Sequence, residues 1–229
     1  MKFNPIKDFF NLMFPNLCVV CTDNLSKCEQ HLCITCLHAM PKTNFHCVLN
    51  NPIEKRFWGK TNVHRGTAFF FFQKGSPFQK LLHELKYRNN KELGELLGKY
   101  AAADLLDSSD FASIDVIIPV PLHPKKHIQR GYNQSEWIGR GLSKVLDKPQ
   151  DISTLIRVRE NTTQTKKTVF ERYENTEGIF ELSDKEKLKD KHILLVDDVL
   201  TTGSTLEACI SVLLQIEGVK VSVFTLAVA

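Results

Sequence analysis

The chain is predicted to fold as an α/β protein, with a mainly parallel sheet carrying helices on both faces and a small cysteine-held module in front of it. Three observations carry this expectation. Strand-like apolar runs alternate with amphipathic helical stretches over residues 61–229. One of those runs, Ile193–Val196, leads into two aspartates and a Thr/Gly/Ser turn. Five of the seven cysteines crowd between Cys18 and Cys36. At 229 residues the chain is long enough for one well-buried domain and an accessory unit.

Composition narrows the classes of function. Hydrophobic residues make up 42% and charged residues 24%, as in ordinary water-soluble globular proteins. A net charge of +4 permits nucleic acid but falls short of a dedicated basic nucleic-acid domain. No run of about 18 apolar residues occurs, so no membrane span is expected. The first fifteen residues lack a continuous apolar core and a small-residue cleavage site. Their Ile6, Phe9, Phe10 and Met13 suit a short helix packing by one apolar face, and a cytoplasmic protein is expected.

Cys18-Val-Val-Cys21 and Cys33-Ile-Thr-Cys36 are separated by Thr22 to Leu32. Each pair can present two thiolates from one tight turn, and two such turns complete a tetrahedral zinc site. Clustering in paired units points to metal rather than disulfides. A segment this short cannot build a sufficient core, whereas structural zinc can contribute about 10–16 kcal/mol of apparent binding energy. Cys28 and His31 are the alternative donors, with His38 and His46 nearby. Four thiolates leave no open position, so the metal is read as structural.

Pro41–Lys60 shows no sustained period and is expected to be a linker, closing a module over residues 1–60. Gly66–Phe72 is predicted as a strand. Ser76-Pro77 should open a helix, with Ser76 as N-cap, Pro77 at the first turn, Gln79 at N3, and Phe78, Leu81, Leu82 and Leu85 as its stripe. A second helix covers Lys91–Leu106. Asp115–Val120 is a strand whose Pro119 suits its end. Pro121–Gln134 follows as a basic loop, Ser135–Leu146 as a helix, Ile152–Val158 as a strand and Arg159–Thr168 as a mobile polar loop. Lys191–Asp197 and Val219–Val228 supply the last strands, joined by a helix from near Leu206 to Gly218.

The richest string is ILLVDDVLTTGST, Ile193 to Thr205. Its four apolar residues form a buried parallel strand, which places Asp197 and Asp198 at the carboxyl end, where ligands bind in open α/β sheets. Gly203 lets the backbone approach a ligand, and Ser204 with Glu207 has the spacing of a capping box. Free N–H groups at the helix start form an anion seat, flanked by the hydroxyls of Thr201, Thr202, Ser204 and Thr205. An acid pair alone would read as solvated carboxylates. Beside an anion seat it suits a phosphorylated, polyhydroxylated, metal-chelating ligand.

The string resembles the motif with which type I phosphoribosyltransferases bind phosphoribosyl diphosphate (PRPP), matching at every position. That resemblance implies that Asp197 and Asp198 contact the ribose hydroxyls, while Thr201, Thr202, Gly203, Ser204 and Thr205 wrap the 5′-phosphate. More widely, the chain resembles the ComF family of phosphoribosyltransferase-like competence proteins. The match lies in the paired C-x-x-C units, Leu85-Lys86-Tyr87, PVPLHPKK (Pro119–Lys126) with RGYNQSE (Arg130–Glu136), and the RVRE…GIF pattern from Arg157 to Phe180. The family implies an N-terminal module holding Zn²⁺ on Cys18, Cys21, Cys33 and Cys36, then a type I phosphoribosyltransferase-like domain over 61–229. Its members support natural transformation alongside a helicase-like DNA-uptake protein and single-stranded DNA.

By the same resemblance, Pro121, Leu122 and His123 occupy the pyrophosphate loop, with Lys125, Lys126, His127 and Arg130 nearby. Gln164, Lys166 and Lys167 would suit a closing lid. Lys86 suits a helix C-terminal cap slightly better than a site residue, and Tyr87 suits packing. Mg²⁺ is expected with PRPP, because oxygen donors surround that site. Three functions remain open: phosphoribosyl transfer to an unknown nitrogen acceptor in support of competence, a non-catalytic accessory role that keeps the PRPP site, and single-stranded-DNA binding. The last would use Lys55, Arg56, Lys125, Lys126, Lys166 and Lys167 as phosphate contacts.

Overall fold

A computed structural model describes residues 15–158 and 178–229. The helix expected around Ile6, Phe9, Phe10 and Met13, and the loop Arg159–Thr168 with Gln164, Lys166 and Lys167, lie outside the described residues.

Four strands form the main sheet in the order β1 (Gly66–Phe71), β6 (Lys220–Val228), β5 (His192–Leu200) and β2 (Val116–Pro119), and each neighbouring pair is parallel. The described helices, in chain order, are α1 (Ile34–His38), α2 (Pro52–Lys55), α3 (Gln79–Tyr87), α4 (Lys91–Leu106), α5 (Ser109–Ala112), α6 (Pro124–Arg130), α7 (Gln134–Leu146) and α8 (Ser204–Leu213).

Alternate strand residues serve opposite faces. Ile117, Leu194, Val196, Phe224 and Leu226 share a cluster with Leu81, Leu85, Leu97, Ile138 and Leu142 of α3, α4 and α7. Ile118, Ile193, Leu195, Val221 and Val223 share the other with Leu206, Ile210 and Leu213 of α8. Both faces are therefore covered, which is why these strands are unbroken apolar runs. On the first face α4 and α7 touch backbone to backbone. A Cβ on Gly98 would lie 2.2 Å from Ile138 O, and one on Gly141 2.1 Å from Glu95 O.

The cysteine module packs on that first face. Cys18, Val20, Leu32, Cys33, Cys36 and Met40 belong to the same apolar cluster as Phe69 and Phe70 of β1. Lys80 donates to Val20 O at 2.9 Å, and Lys42 pairs with Asp104 at 2.8 Å. No helix among the described residues is long and apolar enough to cross a membrane.

Several elements differ from their sequence expectations, each for a physical reason. Residues 41–60 are ordered rather than linker-like. Buried Asn51 caps α2 through Ile53 N and Glu54 N, and its amide donates to Phe45 O, Val48 O and Gly66 O. Ile53 and Phe57 are fully buried. Helix α3 begins at Gln79, not at Pro77, because Ser76 caps nothing; Gln79 Oε1 turns back to accept from Gly75 N at 2.8 Å. The basic loop after β2 contains α6, which Pro124 starts and left-handed Gly131 stops. The strand expected over Ile152–Val158 is only Leu155–Arg157 (β3), paired antiparallel with β4 (Phe180–Leu182) outside the main sheet. Asp151 accepts from Ser153 N and Thr154 N and keeps the residues before β3 in a turn.

Candidate functional site at the carboxyl edge of the sheet

Strand β5 does not stop before its aspartates. It continues along β6 to Leu200, with Asp197 opposite Thr225 and Leu200 opposite Val228. The acids nevertheless lie at an edge. β2 ends at Pro119, opposite Val196, so beyond that point no described strand pairs with that flank of β5. The strand thus runs three residues past Asp197, where the sequence predicts its end, because pairing with β6 continues on the other flank.

Three groups occupy that flank. Ser135, at the start of α7, donates its hydroxyl to Asp197 Oδ1 at 3.0 Å, and the Asp198 N–H donates to the same oxygen at 2.9 Å. Lys86, in the last turn of α3, sets its ammonium 3.1 Å from Asp198 Oδ2. This corrects the assignment of Lys86 to a helix cap: the side chain reaches across to the acid pair. Tyr87 is also corrected, being 67% exposed against His83 rather than packed inside. Burial pushes the Asp197 carboxyl up to about 7, and the charge of Asp198 pushes the same way; the Asp198 N–H, Ser135 and Lys86 pull it back. A cation or hydroxyl donors brought to this pair would relieve that penalty.

The turn after β5 leads into α8. Gly203 is its N-cap at φ +89°, a region that favours glycine. An added Cβ would meet nothing nearer than Glu207 Oε1 at 3.5 Å, so the constraint is backbone angle rather than crowding. Thr201, Thr202 and Ser204 are exposed and Thr205 half-buried. The expected capping box does not form. Ser204 Oγ meets Thr202 Oγ1 at 3.0 Å, and Glu207 Oε1 is taken by Lys60 Nζ at 2.6 Å. With Gly203 as N-cap, the N–H groups of Ser204, Thr205 and Leu206 have no intrahelical acceptor, so the anion seat survives without the box.

Pro121, Leu122 and His123 follow β2 and therefore sit at the same edge. His123 caps α6 by accepting from Lys125 N at 3.2 Å, and Arg130 donates to Gln134 Oε1 at 2.8 Å. Asn133 caps α7 and donates to Val120 O at 3.0 Å, while the buried Tyr132 hydroxyl donates to Leu85 O. These bonds tie the ends of β2, α3 and α7 together. Among the described residues, no hydrogen bond or ion pair joins Pro121, Leu122, His123 or Arg130 to the acids. The sequence reading missed Ser135 as an acid partner, and also Arg56, whose guanidinium donates to Thr201 O.

In the cysteine module the four expected residues converge. The sulfurs of Cys18, Cys21, Cys33 and Cys36 all lie within 4.8 Å of one another, with Cys21 and Cys33 at 3.7 Å. Tetrahedral zinc with thiolate bonds of about 2.3 Å requires sulfurs about 3.8 Å apart. Backbone N–H groups of Cys33 and Cys36 point at Cys18 and Cys33 sulfur, each at 3.4 Å, which suits thiolates. Exposed Cys28 and half-buried His31 stand outside this cluster. The donor set is compatible with structural zinc.

Comparison with known proteins agrees with this geometry. Residues 133–229 match the phosphoribosyl transferase domain family. The parallel sheet, helices on both faces and the strand–loop–helix site define a type I phosphoribosyltransferase-like protein. The chain is 28% identical over 214 residues to the DNA utilization protein YhgH of Shigella flexneri, covering 92% of this chain and 89% of that one. It is 28% identical over 222 residues to competence protein F of Haemophilus influenzae, covering 93% and 95% respectively. These relatives, together with the phosphoribosyl transferase match, support placing the chain in the ComF family. A hypoxanthine phosphoribosyltransferase of Staphylococcus aureus overlaps loosely, with a TM-score of 0.38 at 18% identity over 59% of this chain and 63% of its own.

Proposed function

We propose that this protein binds PRPP at the carboxyl edge of its sheet and serves DNA uptake in natural competence. The observation that carries the proposal is the succession, along nine residues from Asp197 to Thr205, of an acid pair and an open helix start. The 5′-phosphate would take the N–H groups of Ser204, Thr205 and Leu206 with the hydroxyls of Thr201, Thr202, Ser204 and Thr205. Asp197 and Asp198 would accept from the ribose hydroxyls. The diphosphate would extend towards Pro121, Leu122, His123 and Arg130. Mg²⁺, bound to phosphate oxygens and water, would neutralise the diphosphate as leaving group. If the protein transfers the phosphoribosyl group, a nitrogen nucleophile forms the bond to C1 as the C1–O bond breaks and diphosphate leaves. The side chains then contribute positioning and electrostatics.

Zn²⁺ on Cys18, Cys21, Cys33 and Cys36 would hold the N-terminal module, with residues 1–60 and 61–229 as the working division. The names of the relatives, DNA utilization protein and competence protein, support the competence role; a cytoplasmic location and partnership with a helicase-like uptake protein belong to the same proposal. Contact with single-stranded DNA has its own support in Trp58, 58% exposed with Lys55 Nζ 5.9 Å from its ring centroid.

Titration calorimetry with PRPP, with and without Mg²⁺, tests the central proposal. Saturable binding strengthened by Mg²⁺ is expected, and no heat at millimolar PRPP counts against it. Release of pyrophosphate in the presence of nitrogen nucleophiles separates the catalytic form from the accessory form.

A further inference from the structure

The segment that follows the cysteine module reaches across the molecule to the phosphate loop. Its Arg56 donates through a guanidinium nitrogen to the carbonyl of Thr201. The aliphatic stem of the same side chain lies alongside the loop, its Cδ 3.7 Å from where a Cβ of Gly203 would be. One turn further, Lys60 Nζ pairs with Glu207 Oε1 at 2.6 Å, in the first turn of α8. The base of this arm is fixed. Phe57 and Ile53 are fully buried in the cluster that also contains Leu200 and Leu206, and Asn51 spends both ends of its amide on backbone partners.

From these contacts we infer that Arg56 is a positioning residue for the 5′-phosphate, and that residues 52–60 form the outer wall of the phosphate seat. The inference rests on the phosphoribosyl reading of the site. The physical reason is backbone orientation. Gly203 confers freedom on the turn, and a turn free at φ +89° needs something to hold it where its N–H groups converge. Fixing the Thr201 carbonyl outward, onto a planar cation, turns the following peptide units inward. Arginine suits this better than lysine because its fork is pre-organised and stays charged. Lys60 acts more weakly, since it touches only the Glu207 side chain, in a partly exposed ion pair. It does, however, occupy Glu207, whose free carboxylate would otherwise repel a phosphate at the start of α8.

Binding of two partial ligands to the full-length protein tests this: ribose 5-phosphate, which carries the 5′-phosphate, and inorganic pyrophosphate, which lacks it. Arg56→Ala is expected to weaken ribose 5-phosphate about tenfold, in line with loss of one charge-assisted hydrogen bond, and to leave pyrophosphate unchanged. Arg56→Lys should recover part of the loss, and Lys60→Met should cost about twofold. Thermal melts of the three variants should stay close to the unaltered protein, because both side chains lie at the surface. Unchanged ribose 5-phosphate affinity in Arg56→Ala would overturn the inference while leaving the phosphoribosyl reading intact. An equal loss of both ligands would also overturn it, by revealing general damage. If the unaltered protein binds neither ligand, the phosphoribosyl reading itself fails, and this inference with it.

Discussion

The two ends of β5 carry ionisable groups of opposite fate. At the amino end His192 is 4% exposed and saturated: Nδ1 lies 2.8 Å from Ser113 Oγ, Nε2 lies 2.8 Å from Ser222 Oγ, and its N–H donates to Asp115 at 2.8 Å. Burial, with His64 stacked edge-on at 5.0 Å, holds its imidazole below the ordinary range. At the carboxyl end Asp198 Oδ2 faces the partly exposed Lys86, and the hydroxyls of Thr201, Thr202 and Ser204 lie at the surface. A polar group whose bonds are all met inside the protein stabilises the fold. One whose bonds are met only in part is available to a ligand.

With zinc bound, the cysteine cluster would belong with the saturated class, and disturbing it should then have the largest effect. Cys36→Ala, or chelation of the metal, is expected to remove most of the melting stability, since structural zinc contributes on the order of 10 kcal/mol. Elemental analysis together with a melting curve checks this: no bound zinc, or an unchanged melting temperature, would remove the cluster from that class.

The next contrast sets the ends of β5 directly against each other. Asp197→Asn combined with Asp198→Asn should lower PRPP affinity by about a hundredfold or more, as expected when two hydrogen bonds to charged groups are lost, without lowering the melting temperature. His192→Ala should do the reverse, costing about 2–4 kcal/mol of stability and leaving PRPP affinity alone. Matching losses of affinity in both variants would erase the distinction between the ends.

The smallest effect is in the pH dependence of stability, where the two ends have opposite signs. The carboxyl of Asp197 is raised to about 7, so between about pH 4 and 7 the folded protein keeps a proton that the unfolded chain releases. Stability attributable to this group therefore falls as pH rises through that window, and Asp197→Asn should flatten the fall. His192 is depressed, so its contribution is present above the unfolded value of about 6.5 and is lost as pH falls through the folded one. In melting curves from pH 4 to 8, Asp197→Asn should gain on the parent as pH rises, whereas His192→Ala should fall further behind it.

What was legible beforehand follows the range of the interactions. Ile193–Thr205 is contiguous, so its strand, turn and helix could be read locally, and the paired cysteines carry their own spacing. Lys91–Leu106 declared itself through a long periodic stripe. Helix α6 did not, because none of its residues is buried and no apolar stripe exists to be seen. Residues 41–60 concealed their order for the opposite reason. Their anchors, Asn51, Ile53 and Phe57, act singly and through distant partners. The contacts of Arg56 with Thr201 and Lys60 with Glu207 span 145 and 147 residues, and no local pattern encodes such pairs. The bond of Lys86 to Asp198 escaped on the same grounds: a lysine at a helix end has a sufficient local explanation.

Hydrogen exchange on the full chain, with and without PRPP and Mg²⁺, tests most directly that the carboxyl end of β5 is the ligand site. Slowed exchange confined to the amides of Asp198 to Leu206 and of the turn at Leu122 and His123, with His192 to Leu195 unchanged, is the expected result. Protection centred on His192, or none at saturating PRPP, would contradict the assignment.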